Sequence, residues 1–145
     1  MANVIYRGPL DKDPVAVNLP VSGAYLPGCA VEDTGAALTQ LTTAIGKRVH
    51  VLGNVAFKEQ TVADAYASGD TGIGYEANPN DVFHARLAAA TYAVNDALTV
   101  GASGRFTKAT SGDKVVAVFN DTAGAYTADA LADVVFVDGY IVPAA

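Results

Sequence analysis

Between Thr61 and Asp121 the chain reads TVADAYASGDTGIGYEANPNDVFHARLAAATYAVNDALTVGASGRFTKATSGDKVVAVFND. Gly, Asn or Asp interrupts it about every 8–12 residues, and apolar and polar residues alternate in the short bursts between. A period of two puts successive side chains on opposite faces of a strand, and the interruptions leave no room for a helix of ordinary length. The expectation is an all-β fold: a small β-sandwich or barrel-like domain with at most short helices.

The bursts can be placed individually. Gly72 to Glu76 and Val82 to Ala88 read as strands, the second with Phe83, Ala85 and Leu87 on one face and His84 and Arg86 on the other. Ala97 to Val100 and Arg105 to Lys108 flank Gly101-Ala102-Ser103-Gly104, a hairpin loop with glycines available for positive φ. Val115 to Phe119 is apolar on both faces, as a strand in the middle of a sandwich or barrel is. Thr61 to Ala67 reads as a single helical turn, and Asp121 to Leu131 as a loop or short helix with Thr127 as cap. Val134 to Val142 is expected to close the fold as a strand pair turning at Asp138-Gly139.

Upstream, the helical spacing of Ala37, Leu38, Leu41, Ala44 and Ile45 competes with the β-branched Thr39, Thr42 and Thr43, and strand is preferred. Arg48 to Leu52 reads as a strand in either case. No convincing internal repeat is present.

Residues 1–28 differ from the rest. Pro9, Pro14, Pro20 and Pro27 are four of the six prolines, and their spacing forbids a helix or a long central strand. This is expected to be an extended N-terminal arm carrying apolar pieces, with residues 29–145 as one β-rich domain. Such an arm lies either on its own domain as an edge strand or on a neighbouring molecule. Val4, Ile5 and Tyr6 are its candidate contact residues.

At 145 residues the chain suits one domain with an ordinary core. Half of it (51%) is hydrophobic and 17% is charged, against about 25% charged in a typical soluble domain, which suggests a surface partly covered by a partner. The net charge is −6 and the nine basic residues are scattered apart from Lys47-Arg48, so neither nucleic acid nor an anionic membrane is an expected partner. The N-terminal MANVIYRGPLDKD has no apolar h-region and no run approaches a membrane span, which points to a chain folded in a reducing cytoplasm. Cys29, the single cysteine, reads as a small buried hydrophobe.

Each chemical motif has an ordinary structural explanation. Asp33-Thr34-Gly35-Ala36 resembles the active-site loop of retroviral-type aspartic proteases, with Val51-Leu52-Gly53 as a possible supporting element and a dimer needed to pair two Asp33 carboxylates. Glu32 stands where an apolar residue should precede the catalytic Asp, and Asp70-Thr71-Gly72, preceded by Gly69, lies too close to be a second lobe. Gly69 to Gly74 has its glycines in the wrong order for a dinucleotide fingerprint, and Gly101 to Arg105 has Arg where a nucleophile elbow needs Gly. His50 and His84 sit in alternating strands and are expected on solvent-facing or rim positions. Asp70, Glu76, Asn80 and Asp81 fit no EF-hand spacing and read as a solvated acidic loop. The seven tyrosines, at 6, 25, 66, 75, 92, 126 and 140, suit cores and protein interfaces. No cofactor, metal or catalytic residue is expected, and the chain reads as a non-enzyme.

The order of parts resembles the head decoration (cement) proteins of tailed bacteriophages. The resemblance rests on the Asp64-Ala-Tyr-Ala67 turn, the Gly69-Asp-Thr71 strand start, Pro79-Asn-Asp-Val-Phe-His-Ala-Arg86, Asn95-Asp-Ala-Leu-Thr-Val100 with Ala102-Ser-Gly-Arg105, and Val115-Val-Ala-Val118. It covers the chain from about Leu26 onward; the Pro-spaced arm lies outside it. The resemblance implies a structural protein of the virion, bound to the outer capsid surface and assembled in the bacterial host cytoplasm. Its partners would be the major capsid protein and further copies of itself, with a homotrimer expected. A subunit of another virion assembly, such as a tail or fibre, shares the same β-rich composition, and the dimeric protease using Asp33 is the enzymatic alternative.

Overall fold

The computed structural model describes residues 4–11 and 13–143; Met1 to Asn3, Lys12, Ala144 and Ala145, which belong to the two segments read above, lie outside the described residues. The chain is all-β, built from three antiparallel sheets in a small sandwich-like arrangement. Its strands, in chain order, are β1 Tyr6–Gly8, β2 Ala16–Pro20, β3 Ala30–Asp33, β4 Leu38–Gln40, β5 His50–Leu52, β6 Thr71–Glu76, β7 Val82–Arg86, β8 Ala90–Tyr92, β9 Ala97–Val100, β10 Phe106–Lys108, β11 Lys114–Phe119, β12 Gly124–Tyr126 and β13 Leu131–Ile141. A short 3-10 turn spans Ala56–Lys58.

The larger sheet has the order β1-β7-β13-β11-β9-β10, the second β2-β6-β5-β3-β4, and β12 pairs with β8 in a small third one. Both large sheets curl round: in the first, β10 comes back to the chain just past β7, with β1 outside this contact, and in the second, β4 comes back to the chain just past β2. Leu87, just past β7, bridges Phe106 of β10, and Val21, just past β2, bridges Leu38 of β4. The Ala88 N–H donates to the Phe106 carbonyl (2.9 Å) and the Ser22 N–H to the Leu38 carbonyl (3.1 Å). Curling of this kind shortens exposed backbone edges, which otherwise invite pairing with other chains.

The main core lies between the two large sheets. Phe83, Ala85, Leu98, Phe106, Ala117, Phe119, Val134 and Phe136 from the first meet Ala30, Val49 and Val51 from the second. Phe83, Phe106 and Phe136 pack edge to face at centroid distances of 5.5 and 5.7 Å, a geometry that aligns ring edges with ring faces. A second cluster, with Val21, Val31, Leu38, Leu52, Val55 and Tyr66, fills the other face of the second sheet. The Val115 to Phe119 run is doubly buried because β11 lies between β13 and β9.

Three local expectations are corrected. Asp138-Gly139 does not turn a hairpin: β13 runs through it as one strand of 11 residues. Val115 pairs with Tyr140 but Ala117 with Phe136, so the extra residues of β13 are absorbed in a bulge. Thr61 to Ala67 contains no helical turn; a β-turn closed by Asp64 stands there, and the 3-10 turn falls earlier, at Ala56–Lys58. Within 121–131, Gly124–Tyr126 is a strand because β8 offers it a ladder partner.

The described part of the 1–28 segment supplies the outer strand of each large sheet. Strand β1 pairs with β7, and β2 pairs with β6 in unbroken register from Ala16–Tyr75 to Pro20–Thr71. Prolines are tolerated there because an outer strand need not donate every backbone N–H.

Candidate functional site

The structure divides the three residues expected to make contact. Ile5 is 2% exposed and belongs to the main core. The Tyr6 ring stands edge-on to Phe83 at 5.5 Å, and its hydroxyl donates to the Pro9 carbonyl (2.7 Å). Val4, in contrast, is 45% exposed. Ile5 is therefore committed to its own domain, for which a burial of this kind is worth about 1.5–3 kcal/mol.

Two further apolar side chains stand out on the connection from β1 to β2. Leu10 is 91% exposed and Val15 is 53% exposed. The chain is held on either side of this loop: before β1 the His84 N–H donates to the Ile5 carbonyl (2.7 Å), and next to β2 the Glu76 N–H donates to the Val15 carbonyl (2.8 Å). The exposed Asp11 and Asp13 follow the projecting Leu10 in the chain. An apolar side chain exposed on a loop whose flanking strands are held to the sheets suits a contact surface. Leu10 lies inside the segment that the sequence marked, but its exposure had no signal there, because an isolated Leu between charges reads equally as a buried anchor.

Arg86 was expected only on the face opposite Phe83. It is buried and ties three loops together: Nε donates to the Pro27 carbonyl (2.9 Å), one terminal nitrogen to the Asp129 carbonyl (2.8 Å) and the other to the Val62 carbonyl. Burial pulls its pKa below the ordinary arginine value while Asp129 opposes that shift. Beside it, Arg105 makes a bidentate pair with Asp129 (2.8 and 3.0 Å), and this pairing holds the Asp129 carboxyl below the usual range. Cys29 lines the same small cavity of about 170 Å³. It is buried as expected, and burial pushes its thiol up to about 11, so it is protonated and inert near neutrality. Both guanidinium groups are engaged in holding loops, and the cavity is a structural junction.

Asp33 is exposed at the end of β3, and its Oδ1 accepts the Gly35 N–H of its own turn (2.7 Å). Asp70 likewise accepts the Ala67 N–H (3.0 Å). Each carboxylate shapes a local turn. Of the other acidic-loop residues, Glu76 pairs with Arg48 (2.8 Å) and Asp81 accepts the Asn78 N–H (3.1 Å).

The histidines depart from expectation. His50 is buried in β5, not at a rim, and its Nδ1 has no hydrogen-bond partner among the described residues. Strands β3 and β6 flank it on both sides, which a strand-by-strand reading of the sequence does not reveal. Burial, and then nearby Arg48, lowers its pKa from the ordinary histidine value. His84 is half-buried, with Nδ1 3.0 Å from Asp133 Oδ1. No protein-family model matches the chain, and no curated protein matches it.

Proposed function

We propose that this chain is a structural, non-enzymatic protein of a virion that binds the outer surface of a tailed-phage capsid and stabilises the expanded head by bridging capsid subunits. The observation that carries the reading is the β1–β2 connection, which projects Leu10, with Val4 and Val15 near it in the chain, from a β-body. The sequence resemblance to head decoration proteins supports it, and so does the curl of both sheets, which shortens the open backbone edge and suits a protein that must dock without polymerising. The partners in this reading are the major capsid protein and other copies of the chain, as a homotrimer. Many copies binding the assembled shell in preference to its free subunits stabilise it by mass action.

The contact residues in this proposal are Val4, Leu10 and Val15, with Ile5 and Tyr6 supporting them from below. Deleting the first 13 residues would remove β1 and a core side chain, so point substitutions separate the roles better. Leu10→Asp is expected to leave folding stability within about 0.5 kcal/mol of the parent and to abolish binding to expanded heads. Ile5→Ala is expected to cost about 2–4 kcal/mol in urea unfolding. Undiminished head binding by Leu10→Asp would refute the assignment of this surface.

A further inference from the structure

The outer face of the larger sheet carries a cluster of donor atoms independent of the proposed contact surface. His84 on β7 and Asp133 on β13 are direct cross-strand partners, and their side chains meet at 3.0 Å, Nδ1 to Oδ1. Asp121 enters from the turn after β11. There the Asn120 N–H donates to the Asp133 carbonyl (3.0 Å), and the Asp133 N–H donates to Asp121 Oδ2 (2.9 Å). The ladder and this turn fix all three residues through backbone bonds. One donor atom from each lies within 4.8 Å of the other two, and all three residues are half-buried, open enough for an ion to enter.

We propose that His84, Asp121 and Asp133 form a binding site for a divalent transition-metal ion of the Zn²⁺ or Co²⁺ kind. One imidazole nitrogen and two carboxylate oxygens form a mixed set that suits such ions, whereas Ca²⁺ and Mg²⁺ favour oxygen donors throughout. In a tetrahedral site with bonds of about 2.0–2.2 Å, donor atoms stand about 3.4 Å apart. The His84–Asp133 spacing is already close to that, and Asp121, whose two oxygens accept the Asp133 and Thr122 N–H groups (2.9 and 2.8 Å), offers the third donor through a remaining lone pair after a small shift. Three protein ligands leave a coordination position for water or for a donor from another molecule. The ion also balances charge: Asp121 and Asp133 bring two carboxylates to the cluster, and Arg7, whose nitrogens lie 3.5 Å from the Asp133 oxygens, brings one positive charge. Arg7 works against the ion, because a fixed cation beside a ligand weakens binding of a second one. In structural terms the ion would tie β7, β13 and the turn after β11 together.

The test uses the full chain stripped of metal by chelation and titrated with Co²⁺, following its visible d–d absorption, and then with Zn²⁺ by calorimetry. One ion per chain is expected, with Zn²⁺ displacing Co²⁺ and excess Mg²⁺ competing with neither. His84→Gln and Asp121→Asn are each expected to weaken Co²⁺ binding about tenfold or more, and Arg7→Gln to tighten it. Asparagine keeps an oxygen to accept the Asp133 N–H, so that variant tests ligation without removing the turn's hydrogen bond. Absence of both Co²⁺ absorption and Zn²⁺ heat at about 100 μM metal would overturn the proposal. Binding that is unchanged in both His84→Gln and Asp121→Asn would overturn it equally, by placing the ion elsewhere.

Discussion

The Ala93 N–H donates to the carboxylate of Asp96 at 2.8 Å, and the Asp96 N–H donates back to the Ala93 carbonyl at 3.0 Å. The same reciprocal pair joins Ala67 to Asp70, Asn78 to Asp81, Thr110 to Asp113 and Thr61 to Asp64. In the first four of these five turns the third residue, Asn95, Gly69, Asn80 or Gly112, has positive φ. In those four, the Asp is also the last residue before a strand, respectively β9, β6, β7 and β11. A carboxylate that accepts the first N–H of the turn replaces a backbone partner and sets where the next strand begins.

These turns make the fold acid-sensitive. The N–H bonds from Ala93 and Thr61 hold the Asp96 and Asp64 carboxyls below the usual carboxylate range. A carboxyl whose folded pKa is depressed contributes stability that is complete above its unfolded value, about 3.9, and that disappears as pH falls through the folded value. Asp96→Ala is expected to cost about 1 kcal/mol at pH 7 and less at pH 2–3, because the parent's contribution fades as pH falls through its lowered folded pKa. Urea unfolding of both proteins at the two pH values measures the difference.

His50 adds a second acid-sensitive contribution at higher pH. Its folded pKa is lowered, chiefly by burial, so the unfolded chain binds the proton first as pH drops below about 6.5. Stability from this group is complete above that value and declines as pH falls toward the folded pKa. The charged groups around it are Arg48, Asp33 and Glu76. His50→Leu is expected to flatten the unfolding free energy between pH 7 and 5 relative to the parent, as read from urea midpoints. An unchanged slope would mean that His50 titrates alike in both states.

Arg86 is the residue whose loss should damage the fold most among the polar side chains discussed above. Arg86→Met keeps the apolar stem but removes the guanidinium hydrogen bonds to the Pro27, Val62 and Asp129 carbonyls. An unsatisfied buried acceptor costs about 1–3 kcal/mol, and of the three bonds the one to Pro27 is fully buried, so a loss of about 2–3 kcal/mol is expected in urea unfolding. Arg86→Lys should recover part of it, since an ammonium reaches fewer of the three carbonyls.

Gly104 and Gly112 both have positive φ, but their surroundings differ. A Cβ at Gly104 would lie 2.7 Å from the Ala30 carbonyl oxygen and 3.0 Å from Gln40 Cγ, whereas at Gly112 it would meet nothing within 4 Å. Gly112→Ala is expected to cost about 1–2 kcal/mol for the left-handed backbone alone. Gly104→Ala should cost clearly more, because backbone must also move. Thermal midpoints of the two variants give the comparison directly.

The fold class was legible because β7, β9, β10 and β11 each bury one or both faces in a simple alternation. The curling of each sheet was not, since the Leu87–Phe106 and Val21–Leu38 bridges join residues far apart in sequence. Asp138-Gly139 has the local chemistry of a hairpin, and pairing with β11 on either side of it, at Phe136 and at Tyr140, keeps β13 extended through that region. The turn device was visible in Ser68-Gly-Asp70, Ser111-Gly-Asp113, Asn80-Asp81 and Asn95-Asp96, although residues with no common identity lie between, so no repeat emerges. Of the three candidate contact residues, period and proline spacing located the segment but could not separate the buried Ile5 from the exposed Val4. The pairing of His84 with Asp133 depends on strand register, and register between distant strands is set by tertiary packing.

The most direct measurement is cosedimentation of the purified protein with expanded, empty heads assembled from the major capsid protein encoded in the same genome. The proposed function predicts saturable binding at a fixed number of copies per head and a higher temperature of head disruption. Absence of binding at micromolar concentrations, or binding that leaves head stability unchanged, would contradict it.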